Sequence, residues 1–180
     1  MKEKMTHVLD KFKHCPVCGS LRFTAHNEKS KECKDCGFVY YLNPSSATVA
    51  LIENTRGEIL VVRRAKKPAK GTLDLPGGFC DMGETAEEGI IREVEEETGL
   101  HASRVEYLFS IPNLYIYSGM TIPTMDMFFR CVVEDTSGMH AMDDAAAAMW
   151  IKKEDINPEE FGLMSIRKGI AAFIAAPCNT

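Results

Sequence analysis

No run of about 18 apolar residues occurs in the 180-residue chain, so a membrane-spanning helix is not expected. The opening residues 1–14 lack the apolar centre of a secretion signal, so no leader is expected either. Positive charge is short as well: 21 Lys and Arg stand against 26 Asp and Glu, a net charge of −5. Coating nucleic acid needs a basic surface, so nucleic acid is not expected as a partner. Small anionic ligands stay open, because a bound cation reverses the sign of its surroundings. There is no internal repeat of useful length and no low-complexity tract. What is present is ordinary globular composition, 45% hydrophobic and 26% charged. The length suits one catalytic-sized domain with a small appendage.

The seven cysteines divide into a group of four and three scattered ones, Cys80, Cys131 and Cys178. Cys15 and Cys18 form one C-x2-C-G pair, and Cys33 and Cys36 form another, with 14 residues between the pairs. Each pair presents two thiolates from a tight turn, and Gly19 and Gly37 supply the backbone freedom the turn needs. Four thiolates suit a closed, tetrahedral Zn2+ site with no open position for chemistry. Two disulfides fit less well, given an odd cysteine total and no leader. A redox C-x-x-C would need a βαβ context that residues 15–36 do not have. The stretch resembles a zinc ribbon, expected over residues 1–42 with a short helix at 5–13. With no leader expected, the cytoplasm is the expected location.

The remainder, 43–180, reads as a second domain. Strand-like runs are expected at 47–53 and 58–64, joined as a hairpin by the turn at Asn54 to Gly57. Further runs cover 73–75, 104–111, 114–117, 124–133 and 146–152. Helices are expected at 85–98 and 163–175. Thr85 and Glu88 make a capping box, Gly99 is the stop, and Ala86, Ile90 and Val94 mark the core face. The pattern suggests an α/β or α+β sandwich with a mixed sheet between helices.

The helix at 85–98 holds six glutamates and one basic residue, Arg92. Glu95, Glu96 and Glu97 sit at its C-terminal end, where the macrodipole disfavours anions. At about 100° per residue, Glu93, Glu96 and Glu97 share one side, and Glu95 points away with Glu88. A solvated acidic face would interleave Lys with Glu. A cluster of carboxylates instead suits Mg2+ or Mn2+, which prefer oxygen ligands.

From Gly78 the chain reads Gly78, Glu84, Arg92, Glu93, Val94, Glu96, Glu97, Gly99 and Leu100. This spacing resembles the Nudix box, G-x5-E-x7-R-E-U-x-E-E-x-G-U with U aliphatic, and every fixed position is met. Leu75, Pro76, Gly77, Gly78 and Phe79 look like the family's entry into the box. The resemblance implies an α/β fold over about 45–176, a mixed sheet sandwiched by helices. It implies hydrolysis of a nucleoside diphosphate linked to another moiety, with Mg2+ or Mn2+. It implies metal ligands at Glu93, Glu96, Glu97 and the Gly77 carbonyl, with Asp144, or else Asp143, as a further acid ahead of Trp150. Arg92 and Glu84 would hold the box glutamates in place, and Glu93 is the first choice for the base that takes a proton from water.

A zinc ribbon before a Nudix domain resembles the NADH pyrophosphatase group. That group's NADH-specific members carry a Ser-Gln-Pro-Trp array after the box. This chain has Ser110 to Gly119 there instead, so NAD(H), ADP-ribose and FAD all stay open as substrates. Phe79, Tyr115 and Tyr117 could stack on a base, or pack in the sheet. Arg63 and Arg64 could grip phosphate, and strand alternation allows only one of them into a site. A homodimer is compatible by analogy with the family. Two other readings remain: a nucleotide sensor without turnover, which degenerate box carboxylates would favour, and a ribbon that binds RNA, which the mixed charges at 11–35 do not support.

Overall fold

The computed structural model describes residues 7–141 and 145–176. The chain divides after Pro44 into two compact units.

The first unit is a three-stranded antiparallel sheet of β1 (Phe23–Asn27), β2 (Ser30–Cys33) and β3 (Val39–Tyr41), in that order. Its core is small: Cys15, Phe23 and Cys33, with Phe38 against them. Of the helix expected at 5–13, the described part is a turn. Asp10 N–H donates to the His7 carbonyl and Phe12 N–H to Leu9, while the Asp10 carboxylate accepts from the His7 N–H. This local cap satisfies the backbone before a helix can propagate.

Among the described residues the second unit holds two three-stranded sheets, two α-helices and two single-turn 3-10 helices. β4 (Ser45–Ile52) runs parallel to β8 (Met120–Val132), which pairs antiparallel with β7 (Arg104–Tyr117). β5 (Glu58–Arg64) lies between β6 (Leu73–Asp74) and β9 (Ala145–Lys152), antiparallel to both. Alternation along β4 and β5 sends side chains to two cores. Val49, Leu51, Ile59 and Val61 meet Ile166, Ile170 and Phe173 of α2 (Met164–Ala175). Ala50, Ile52 and Leu60 meet Ile90 and Val94 of α1 (Ala86–Thr98). The sheets are therefore buried on both faces between helices, the expected α/β sandwich.

Two expectations are corrected. The turn at 54–57 forms, with Gly57 N–H donating to the Asn54 carbonyl, but only one bridge, Glu53 to Ile59, follows it. β4 and β5 then diverge into different sheets, because each finds its ladder partners elsewhere. The runs at 104–111 and 114–117 are one strand. Pro112 does not break it, since β7 is at the edge of its sheet and the missing N–H costs no ladder bond on the open side.

Candidate active site

The capping box forms as expected: Thr85 accepts from the Glu88 N–H, and the Glu88 carboxylate accepts from the Thr85 N–H. Gly99 closes α1 in the left-handed region at φ 70°. This fixes the phase of the helix, which decides where its glutamates go.

A cavity of about 560 Å3 opens beside α1. Gly77, Gly78, Phe79, Arg92, Glu93, Glu96 and Glu97 line it, together with Arg64, Tyr115 and Tyr117. The loop before α1 is pressed onto the sheet: Thr48 N–H donates to the Gly78 carbonyl and Ala50 N–H to Pro76. Gly77 sits at φ 145°, and a Cβ there would lie 2.1 Å from the Thr48 carbonyl oxygen. A Cβ at Gly78 would lie 2.4 Å from a Glu93 carboxylate oxygen. Only glycines let the loop and the helix glutamates come this close.

Arg92 organises the carboxylates. Nη1 donates to Glu93 at 3.0 Å and Glu96 at 2.9 Å, and Nη2 donates to Glu84 at 2.8 Å. Glu97 accepts from the Gly77 N–H at 3.1 Å. Burial pushes the Glu93 carboxyl up, against the hydrogen bond from Arg92. The hydrogen bond from Arg92 holds Glu84 below the usual carboxylate range. Glu84 does not line the cavity; it accepts from the Asp81 N–H and lies against Gly89. Glu95 faces away and contacts His101 at 2.6 Å.

The two arginines of β5 part company. Arg63 is exposed and donates to the Gly71 carbonyl. Arg64 lines the cavity, pairs with the buried Asp74, and donates to the Tyr115 hydroxyl at 3.3 Å. Burial works to lower the Arg64 guanidinium, and the Asp74 charge overcomes it, so the group stays firmly cationic. The ring of Phe79 meets that of Tyr115 edge to face at 5.5 Å. Asp143 and Asp144 lie outside the described residues.

Sequence reasoning missed six further residues that line the cavity: Asp74, Asn113, Thr124, Asp126, Lys66 and Lys67. The signal was available for Asp126: it shares strand parity with Thr124 and the core residue Phe128, so it had to point inward.

The glutamates fit a hard divalent cation in chemistry. Glu93, Glu96 and Glu97 are oxygen donors on one cavity wall, and burial has already made the charge on Glu93 costly. In the first unit the fit is geometric. Cys15 and Cys36 sulfurs stand 3.7 Å apart and Cys18 and Cys33 sulfurs 3.5 Å, with all four within 4.8 Å of one another. Zinc–sulfur bonds of about 2.3 Å at tetrahedral angles require sulfur separations of about 3.8 Å. Each knuckle repeats the same bonds: Gly19 N–H to the Cys15 carbonyl, and Gly37 N–H to Cys33. The backbone N–H of Cys36 pulls the Cys33 thiol down to about 6. Cys18, despite a hydrogen bond from the Ser20 backbone, is pushed up to about 12 by the neighbouring thiols. A cation is what lets four such sulfurs all be thiolates. The cluster is compatible with a zinc ribbon.

The chain matches the family profile of the NUDIX domain over residues 43–173. It is 30% identical over 106 residues to the NAD-capped RNA hydrolase NudC of Vibrio atlanticus, covering 59% of this chain and 39% of that one. It is 48% identical over 60 residues to the ADP-ribose pyrophosphatase of Methanocaldococcus jannaschii, covering 33% of this chain and 35% of that one. The chain thus spans little more than a third of either relative. A solved NUDIX hydrolase from Nitrosomonas europaea superposes with a TM-score of 0.69 at 21% identity, covering 90% of each chain, a likeness of fold. Among the described residues, no helix is long and apolar enough to cross a membrane.

Proposed function

This chain belongs to the NUDIX domain family, and we propose that it is a metal-dependent pyrophosphohydrolase acting on a nucleoside diphosphate linked to a second moiety, such as NAD(H), ADP-ribose or FAD. One observation carries the reading: the box glutamates line the same cavity as Arg64, Phe79 and Tyr115. A nucleotide diphosphate needs both chemistries.

Mg2+ or Mn2+, held by Glu93, Glu96, Glu97 and the Gly77 carbonyl, with Asp144 as a further acid, would offset the substrate's negative charge and polarise the attacked phosphorus. Glu93, a carboxylate that lines the cavity, takes the proton from water. The water oxygen bonds to phosphorus, the bridging P–O bond breaks, and two monophosphates leave. Arg92 and Glu84 position the carboxylates without touching substrate. Arg64 is the better placed of the two arginines to meet phosphate, and Phe79 offers an aromatic surface that is 42% exposed. The ribbon holds Zn2+ through Cys15, Cys18, Cys33 and Cys36 as a structural ion. We take residues 1–42 as the ribbon, 43–180 as the hydrolase domain, and the cytoplasm as the place of action.

A substrate panel of NADH, NAD+, ADP-ribose, FAD and nucleoside triphosphates, with Mg2+ or Mn2+, tests this. One dinucleotide or sugar nucleotide should yield two monophosphates, and Glu97→Gln should lower kcat roughly 100-fold or more. Binding of a nucleotide with no turnover of any compound would make the domain a sensor instead.

A further inference from the structure

β7 presents Asn113, Tyr115 and Tyr117 to the cavity at a period of two, while Leu114 and Ile116 on the other face are exposed. A charged group holds each of the first two, Arg64 from β5 of the other sheet and Asp126 from the neighbouring β8. The Tyr115 hydroxyl is met by Arg64. The Asn113 amide donates from Nδ2 to Asp126 Oδ2 at 3.1 Å.

Asp126 is only 5% exposed. Its carboxylate also accepts from Thr124 Oγ1 at 2.7 Å and from Ser165 Oγ at 2.5 Å. Burying a carboxylate is costly unless such donors meet it. Anchoring α2 explains the bond from Ser165, but it does not explain the bond to Asn113 on the edge strand.

A carboxylate can only accept, so Asp126 dictates which way the Asn113 amide is turned. The amide nitrogen faces Asp126 and the carbonyl is directed away from it. Among the described residues, the carbonyl oxygen and the second amide hydrogen have no partner. They form an acceptor and a donor side by side, on a cavity wall, in a fixed order.

Adenine offers the matching pair, a donor at N6 and an acceptor at N7. Hypoxanthine and guanine carry an acceptor at position 6, which would meet the Asn113 carbonyl with like partial charge. Tyr115 lies about 7 Å further along the strand, with Phe79 against its ring, so a purine bonded to Asn113 has an aromatic surface at hand. Resting on the hydrolase reading above, we propose that Asn113 reads the base of the substrate and selects adenine, and that Asp126 is the positioning residue that sets its amide.

The test uses the full-length chain. AMP and IMP are titrated calorimetrically, and ADP-ribose and its hypoxanthine counterpart are compared in turnover. Adenine should be preferred roughly tenfold or more in both. Asn113→Ala should remove the preference, with the loss in turnover falling on KM for the adenine substrate rather than on kcat. Asp126→Asn keeps an acceptor for Thr124 and Ser165 but no longer dictates the amide's orientation. It should reduce the preference while the fluorescence melt of Trp150, the one tryptophan, shows the fold retained. Equal binding of AMP and IMP, binding of neither, or a preference that survives Asn113→Ala would overturn the assignment. If AMP is preferred and nothing is hydrolysed, the base-reading role stands and the hydrolase reading falls.

Discussion

In the first unit four sulfurs already lie at nearly the separations a tetrahedral ion demands, with close pairs at 3.5 and 3.7 Å. In the second, Arg92 ties Glu93 and Glu96 through one nitrogen, and Glu97 is turned to a backbone N–H. The difference follows from the ligands. The four thiols are not all charged at once before an ion binds, since neighbouring thiols push Cys18 and Cys36 up while Cys33 is held down, so they can crowd. Carboxylates are charged at neutral pH and repel one another, so a cross-linking guanidinium has to hold them. A closed structural site can therefore be built into the backbone, whereas the glutamates need a cross-linking cation to stay together along an open cavity.

The largest expected effect separates the two plans. Cys33 is fully buried, and its sulfur is part of the ribbon's small core. Structural zinc of this kind supplies roughly 10 kcal/mol or more of folding energy. Cys33→Ser should lose bound zinc, measured by elemental analysis, and open residues 7–44 to protease. If zinc stays bound at one ion per chain and the segment stays resistant, the four-thiolate plan is wrong.

A smaller effect compares glycines. Gly19 of the ribbon has φ 74° and nothing within 4 Å of a would-be Cβ, so Gly19→Ala meets only the left-handed penalty, about 1 kcal/mol. Gly77 combines φ 145° with a collision at 2.1 Å against backbone that cannot rotate away. Gly77→Ala should cost about 3 kcal/mol, a melting shift on the order of 10 °C, and should depress turnover. Equal costs at the two positions would show that the loop at Gly77 is not the tight support argued for here.

What could be read in the sequence, and what could not, divides along the same line. Local rules found the knuckles, the capping box, the phase of α1 and the separation of Arg63 from Arg64, because each depends on residues a few positions apart. The remaining cavity residues depend on partners far along the chain. Asn113 means little until Asp126 is brought beside it across β7 and β8, and Asp74 means little until Arg64 pairs with it. The same limit misassigned the hairpin at 54–57, whose turn was legible although the partners of β4 and β5 were not. Asp126 was the exception, a buried acid betrayed by strand parity and passed over because it lay inside an apolar run.

That hairpin turn carries the smallest effect, one that belongs to neither site. Glu58 accepts from Asn54 Nδ2 at 2.8 Å and Arg56 Nε at 2.9 Å, and its ladder partner is Lys152. The Asn54 hydrogen bond, then the Arg56 charge, hold its carboxyl below the ordinary 4.5. A carboxyl lowered in the fold gives up its proton more readily folded than unfolded. Its contribution is therefore fully present above about 4.5, declines as pH falls through the folded value, and is absent below it. Arg56 is exposed, so the contribution is small and salt-screened. Trp150 sits on β9 opposite Leu60, beside Glu58 on the same strand pair, and its fluorescence reports the second unit. Urea midpoints followed at Trp150 should be lower for Glu58→Gln than for the parent at pH 7, and the gap should narrow as the pH falls below about 4.5. A gap that persists unchanged into acid would mean that the glutamate acts by its shape and not by its charge.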